Sequence, residues 1–104
     1  MAETLEKFAL GRKIAKQGLI HKVGLIGCGE LGQEIARIVS QAGIELVFIE
    51  VNEQRVAEAE KAIQLQLDDV INQWGLTQGD KRIILSRIKG SIDLNLLRNC
   101  DLII

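Results

Sequence analysis

The sequence is poor in the residues that build metal centres. It has one histidine, two cysteines and no CxxC pair, so no metal-ligating set is indicated by spacing. No apolar run approaches the length needed to cross a bilayer. Charge is nearly balanced, with 13 Lys and Arg against 14 Asp and Glu, for a net of −1. No dominant positive field results, and neither nucleic acid nor a membrane is an expected partner. Lys7, Arg12, Lys13, Lys16 and Lys22 make the N-terminal stretch locally basic, but Glu3 and Glu6 interrupt it. The pattern is too mild for a transit peptide or a secretory signal. A cytoplasmic protein is expected.

What is present describes a globular chain. Of its 104 residues, 47% are apolar, enough for one domain that buries about two thirds of its unfolded surface. The most informative run is Val23-Gly24-Leu25-Ile26-Gly27-Cys28-Gly29-Glu30-Leu31-Gly32. It reads as a buried strand followed at once by G-x-G-x-x-G and a helix, the order a dinucleotide pyrophosphate needs. Gly27 allows the tight turn, Gly29 removes a Cβ that would bar the phosphates, and Gly32 lets helix and strand pack closely. The phosphates are expected at the helix N-terminus, where unpaired N–H groups and the helix dipole favour an anion.

Three further features agree. Leu31, Ile35, Ile38, Val39 and Ala42 follow at helical spacing, with Gly43 placed for a left-handed cap. Ile44–Ile49 then reads as a second parallel strand. It ends in Glu50, eighteen residues beyond Gly32, where a carboxylate can accept hydrogen bonds from the adenosine ribose. The same carboxylate repels a 2′-phosphate. No basic residue stands at Val51 or Asn52, and Arg55 is a turn away on the next helix, so NAD is expected over NADP. The expected cofactor-binding residues are Gly27, Cys28, Gly29, Glu30, Leu31, Gly32 and Glu50.

Downstream, Asn52 caps a helix expected to run to Trp74, with Val56, Ala59, Ile63, Leu67, Val70, Ile71 and Trp74 on one stripe. Gly75 ends it, and Thr77-Gln78-Gly79-Asp80 resembles a capping box opening a shorter helix. The two helices form a hairpin projecting from the sheet. A third strand near Arg87–Ser91, a short helix around Asp93–Arg98 and a fourth strand over Asp101–Ile104 complete the order. The fold class is α/β, a Rossmann-type doubly wound parallel sheet with a helical hairpin between strands 2 and 3. The end on a nascent strand suggests a truncated domain. Cys28 and Cys100 fall at opposite ends of such a sheet, so no disulfide is expected. A helix N-terminus can lower a thiol pKa, but Cys28 reads more simply as a small residue that fits the loop.

These residues carry a family resemblance. The glycine run, the Glu50-Val51-Asn52 strand end, the hairpin, and Arg87-Ile88-Lys89-Gly90-Ser91-Ile92-Asp93-Leu94 followed by Cys100-Asp101-Leu102-Ile103-Ile104 together resemble the NAD-binding domain of 3-hydroxyacyl-CoA dehydrogenases. The resemblance spans residues 22–104, leaving 1–21 as an N-terminal extension. It implies NAD as cofactor and hydride-transfer oxidation of the 3-hydroxyl of an acyl-CoA to a ketone. It also implies a homodimer held by a C-terminal helical domain, and a catalytic His–Glu pair downstream of residue 104.

Certain positions depart from the family pattern. Glu30 stands where a neutral residue is usual, and Glu50 where Asp is common. Gln66 and Gln73 occupy places where some relatives present a Ser and a Lys to CoA, removing one cation. His21 precedes the first strand and is expected at the bottom of the sheet, away from any ligand. Two other readings stay open: a non-catalytic NAD-sensing regulatory module, and the FAD-binding domain of a flavoprotein. The N-terminal extension has helical spacing at Leu5, Phe8, Ala9 and Arg12, weakened by Gly11 and Gly18, and a poorly ordered tail is expected there.

Overall fold

Alternating apolar strands and amphipathic helices leave few ways to bury both, and the chain adopts the layered solution. The computed structural model describes residues 20–104; the expectations for the N-terminal extension lie largely outside these residues. The order is β1 (Lys22–Ile26), α1 (Glu30–Gln41), β2 (Glu45–Ile49), α2 (Glu53–Trp74), α3 (Gln78–Ser86), β3 (Ile88–Ser91), a 3-10 helix (Leu94–Asn99) and β4 (Leu102–Ile103). The strands lie in the order β3-β2-β1-β4. All three pairings are parallel, with Leu25 opposite Phe48, Val23 opposite Leu102 and Phe48 opposite Gly90.

The period of two along each strand divides the core. Val23, Leu25, Leu46 and Phe48 join Ala36 of α1, Val56, Ala59, Ile63 and Leu67 of α2, and Ile84 of α3. Val47 and Ile49 point the other way, onto Leu97 of the 3-10 helix. The sheet is thus covered on both faces, as a doubly wound fold requires. Two glycines make that covering possible. A Cβ on Gly90 would lie 2.4 Å from Phe48 Cζ, and one on Gly24 would lie 2.6 Å from Leu97 Cδ2.

Local signals set the helix boundaries. Asn52 Oδ1 accepts the Arg55 N–H at 2.8 Å, and Gly75 closes α2 with φ +71°. Thr77 and Asp80 make a reciprocal capping box at the start of α3. Gly43 takes φ +89° beyond α1, as expected of a left-handed cap.

The expected hairpin is present, with two differences. The apolar stripe of α2 is buried only through Leu67, while Val70 and Ile71 are half-buried and Trp74 is 51% exposed. At 22 residues α2 is far longer than the strands it packs against, which have at most 5. Its partner does not project: α3 contributes Ile84 to the core and contacts α1 and β3. A Lys81–Asp68 ion pair of 2.6 Å joins the two helices. Arg87 belongs to the C-terminal cap of α3, not to β3, and its Nη1 donates to the Ser40 carbonyl at 2.7 Å. That bond joins the Gly43 N–H on a terminal carbonyl of α1 and places a cation where the helix dipole favours one.

At the opposite end of the sheet, Asp101 Oδ2 accepts the N–H groups of His21 (2.8 Å) and Lys22 (3.1 Å). These bonds hold its carboxyl below the usual carboxylate range. His21 is exposed there, remote from the strand C-termini, as expected.

Candidate functional site

The C-terminal ends of β1 and β2 lie side by side, so the turns that leave them must converge. The Gly27 N–H donates to the Ile49 carbonyl at 2.8 Å, extending the ladder by one residue. The chain then turns at Gly27 with φ +85°, a conformation that L side chains rarely adopt. Helix α1 opens three residues later, at Glu30. Gly29 is its N-cap and has no side chain to cap it, so the first-turn N–H groups keep their capacity for an external acceptor. Added Cβ atoms at Gly27 and Gly29 would meet nothing within 4 Å. The space before the turn is open, and glycine there keeps it open. At Gly32 an added Cβ would lie 3.0 Å from the Gly27 carbonyl oxygen. Glycine at that position lets the helix start directly behind the turn.

Glu50 closes the other side. Its Oε2 accepts the Cys28 N–H at 3.3 Å, which ties the end of β2 to the glycine turn and leaves Oε1 without a protein partner among the hydrogen bonds of the described residues. Gly27, Cys28, Gly29 and Glu50 line a cleft of about 350 Å³ together with Gln33, Arg55, Glu58 and Ala59. This is the layout a dinucleotide half requires, with free backbone donors on one wall and a carboxylate on the other. The residues present fit an adenine dinucleotide.

Cys28 has the small-residue role. It is 3% exposed, and burial together with the neighbouring Glu50 charge pushes its thiol up to about 11. Burial first, and the Glu50 charge second, both disfavour the thiolate. Both cysteines are free.

Glu30 is the first residue of α1 and lines a different cleft, of about 440 Å³, with Gln33, Glu34, Arg37, Gln66, Asp69 and Val70. Leu31 is 64% exposed and lines neither cleft. Arg55, read as too distant, faces the Glu50 cleft, because α2 begins immediately beyond β2. Gln33 went unnoticed although it lines both clefts. The spacing of Arg55, Glu58 and Ala59 along one helical face is the signal that would have found the α2 wall.

The comparisons with known proteins agree with this geometry. The family described as the 3-hydroxyacyl-CoA dehydrogenase NAD-binding domain matches residues 22–104. A 3-hydroxybutyryl-CoA dehydrogenase of Bradyrhizobium diazoefficiens is 34% identical over 86 residues, covering 83% of this chain and 29% of that protein. A peroxisomal fatty acid beta-oxidation multifunctional protein of Oryza sativa is 29% identical over 85 residues, 82% of this chain and 12% of its own length. The crystal structure of (S)-3-hydroxybutyryl-CoA dehydrogenase from Ralstonia eutropha superposes with a TM-score of 0.77 at 31% identity, over 81% of this chain and 30% of that one. The chain thus spans about three tenths of the length of the 3-hydroxybutyryl-CoA dehydrogenases it matches. Among the described residues no helix is long and apolar enough to cross a membrane. With its open glycine turn, its carboxylate at the end of β2 and a family match from residue 22 to residue 104, the chain belongs to the 3-hydroxyacyl-CoA dehydrogenase NAD-binding domain family, and NAD is its cofactor.

Proposed function

We propose that this chain is the cofactor-binding part of an NAD-dependent oxidoreductase acting on the 3-hydroxyl of a 3-hydroxyacyl-CoA. Residues 22–104 form the cofactor domain in this reading, and residues 1–21 an extension outside it. When bound, NAD supplies the acceptor for a hydride from the substrate carbinol carbon. The residues of this chain bind and orient. The N–H groups of Gly29, Glu30, Leu31 and Gly32 meet the pyrophosphate at the start of α1, and Gly27 and Cys28 shape the turn before it. Glu50 accepts from the ribose hydroxyls through the oxygen that Cys28 does not use. Glu30, which lines the neighbouring cleft, adds favourable charge to the helix N-terminus.

The observation that carries the reading is the placement of Glu50 against the glycine turn, bonded to the Cys28 N–H. A catalytic His–Glu pair downstream of residue 104, an acyl-CoA substrate, homodimer formation through a further helical domain, and a cytoplasmic location belong to the proposal through the family. The test is a parallel titration with NADH and NADPH, following nicotinamide fluorescence, with Glu50→Ala as control. Tight NADH, weak NADPH and a mutant without the preference are the expected result. A folded chain that binds neither nucleotide overturns the assignment.

A further inference from the structure

The turn between β1 and α1 is held from outside as well as by its glycines. Cys28 is pinned on both sides of its main chain. Its N–H donates to Glu50 Oε2 at 3.3 Å, and its carbonyl accepts from Gln33 Nε2 at 3.2 Å. The carbonyl is an acceptor only, so the Gln33 amide must turn its NH2 toward it. The Gln33 oxygen is then left facing α2, where Gln66 Nε2 donates to it at 3.1 Å. One chain of hydrogen bonds thus runs from the long helix, through α1, into the glycine turn.

Peptide geometry gives that chain a direction. Within a trans peptide unit the C=O and the N–H point in opposite directions, and no peptide among the described residues is cis. Gln33 draws the Cys28 carbonyl toward α1, so the Gly29 N–H, which shares that unit, is aimed away from α1. The preceding unit obeys the same logic: the Gly27 carbonyl faces Gly32, where an added Cβ would sit 3.0 Å away, and the Cys28 N–H faces Glu50. Glycine at position 29 has no side chain to restrict its backbone. Its carbonyl is held by the Gln33 N–H at 2.9 Å, and the peptide unit that carries its own N–H is held by the Gln33 side chain.

We propose that Gln33, oriented by Gln66, is a positioning residue that presets the Gly29 N–H as a donor to the pyrophosphate of the cofactor. The proposal rests on the NAD assignment above. It gives the half-buried Gln33–Gln66 pair a role in nucleotide affinity through the main chain of the turn.

The test compares Gln33→Leu, Gln66→Leu, the double variant and the isosteric Gln33→Glu in the full chain. Two quantities are read: the NADH dissociation constant, and the amide resonance of Gly29 in the protein without nucleotide. Gln33→Leu removes one net hydrogen bond from the turn and is expected to weaken NADH about fivefold to tenfold. Gln66→Leu is expected to weaken it about twofold, and the double variant no more than Gln33→Leu alone, because the bonds act in series. Gln33→Glu sets a carboxylate against the Cys28 carbonyl and matches or exceeds the Leu effect. In each Gln33 variant the Gly29 amide resonance shifts.

A merely structural role would lower the melting temperature and leave the Gly29 resonance and the affinity of the folded protein unmoved. That result overturns the proposal. Should Gln33→Leu fail to fold, Gln33→Glu decides between the same two results. A folded wild-type chain that binds no NADH overturns the cofactor assignment along with the proposal, and the first titration shows it before any variant is compared.

Discussion

Two clefts flank α1, and the larger is not the site. The cleft of about 440 Å³ lies between helices, lined by Glu30, Gln33, Glu34, Arg37, Gln66, Asp69 and Val70. Its three carboxylates outnumber its single cation. The cleft of about 350 Å³ lies where two strands end and is lined by Gly27, Cys28 and Gly29 together with Gln33, Glu50, Arg55, Glu58 and Ala59. The glycine turn at the start of α1 favours a phosphate in the second cleft. The first turns of α1 line the furrow, while the glycine turn that leads into α1 lines the nucleotide cleft.

The largest effect expected is at Gly29. A Cβ there meets no protein atom, so Gly29→Val leaves the melting temperature within a few degrees. The isopropyl group occupies the space the phosphates need, and NADH binding falls about a hundredfold or more by titration. Glu34→Val in the other cleft removes a charge and is expected to change NADH affinity less than twofold. Equal losses from the two substitutions would erase the distinction between the clefts.

Glu50→Ala comes next. A carboxylate bonded to ribose hydroxyls is worth about 1.5–3 kcal/mol, so NADH binding weakens about tenfold to a hundredfold. Arg55 already lines the cleft, and with Glu50 gone it offers a cation to a 2′-phosphate. The NADPH affinity therefore rises in the same variant. An unchanged NADPH affinity would mean that Arg55 does not reach.

Cys28 sharpens the chemistry of the nucleotide cleft. With its thiol at about 11 instead of 9.0, alkylation by iodoacetamide at pH 8 is slow and rises about tenfold per pH unit up to the pKa. Because the folded value lies above the unfolded one, its stabilising contribution is complete below pH 9 and fades as pH climbs toward 11. Fast alkylation of Cys28 at neutral pH, read by peptide mass, would contradict the burial argument.

The smallest effect lies at the far end of the sheet. Asp101 has a lowered pKa because two N–H groups of the β1 entry bond to it. Its contribution to stability is present above the ordinary carboxylate pKa of 3.8 and is lost as pH falls through the lower folded value. Asp101→Asn is expected to lower the melting temperature slightly at pH 7, with the difference from wild type shrinking near pH 3. NADH affinity stays unchanged, since both clefts lie at the other end.

Residues that act on near neighbours in the chain were legible from the sequence. Asn52, Gly75 and the Thr77–Asp80 box fix helix ends through bonds within three or four residues, and the glycine turn is itself local. Parallel pairing followed from strands separated by helices. What depends on the mutual placement of elements was not legible. Helical spacing on α2 continues past Leu67, but full burial does not, because a helix of 22 residues outruns strands of at most 5, leaving Trp74 half exposed. The Gln33 link spans three elements, and neither Gln has a local pattern that marks it. Arg55 was misjudged for the same reason, since its distance along the chain says nothing of the angle at which α2 leaves the sheet.

Mapping NADH onto the backbone amides by NMR tests the choice between the clefts most directly. The expected perturbations concentrate at residues 27–33, at Glu50 and in the first turns of α2, while Glu34, Asp69 and Val70 stay in place. Perturbations centred on Glu34, Asp69 and Val70, with the glycine turn silent, would contradict the assignment of the cofactor to the ends of β1 and β2.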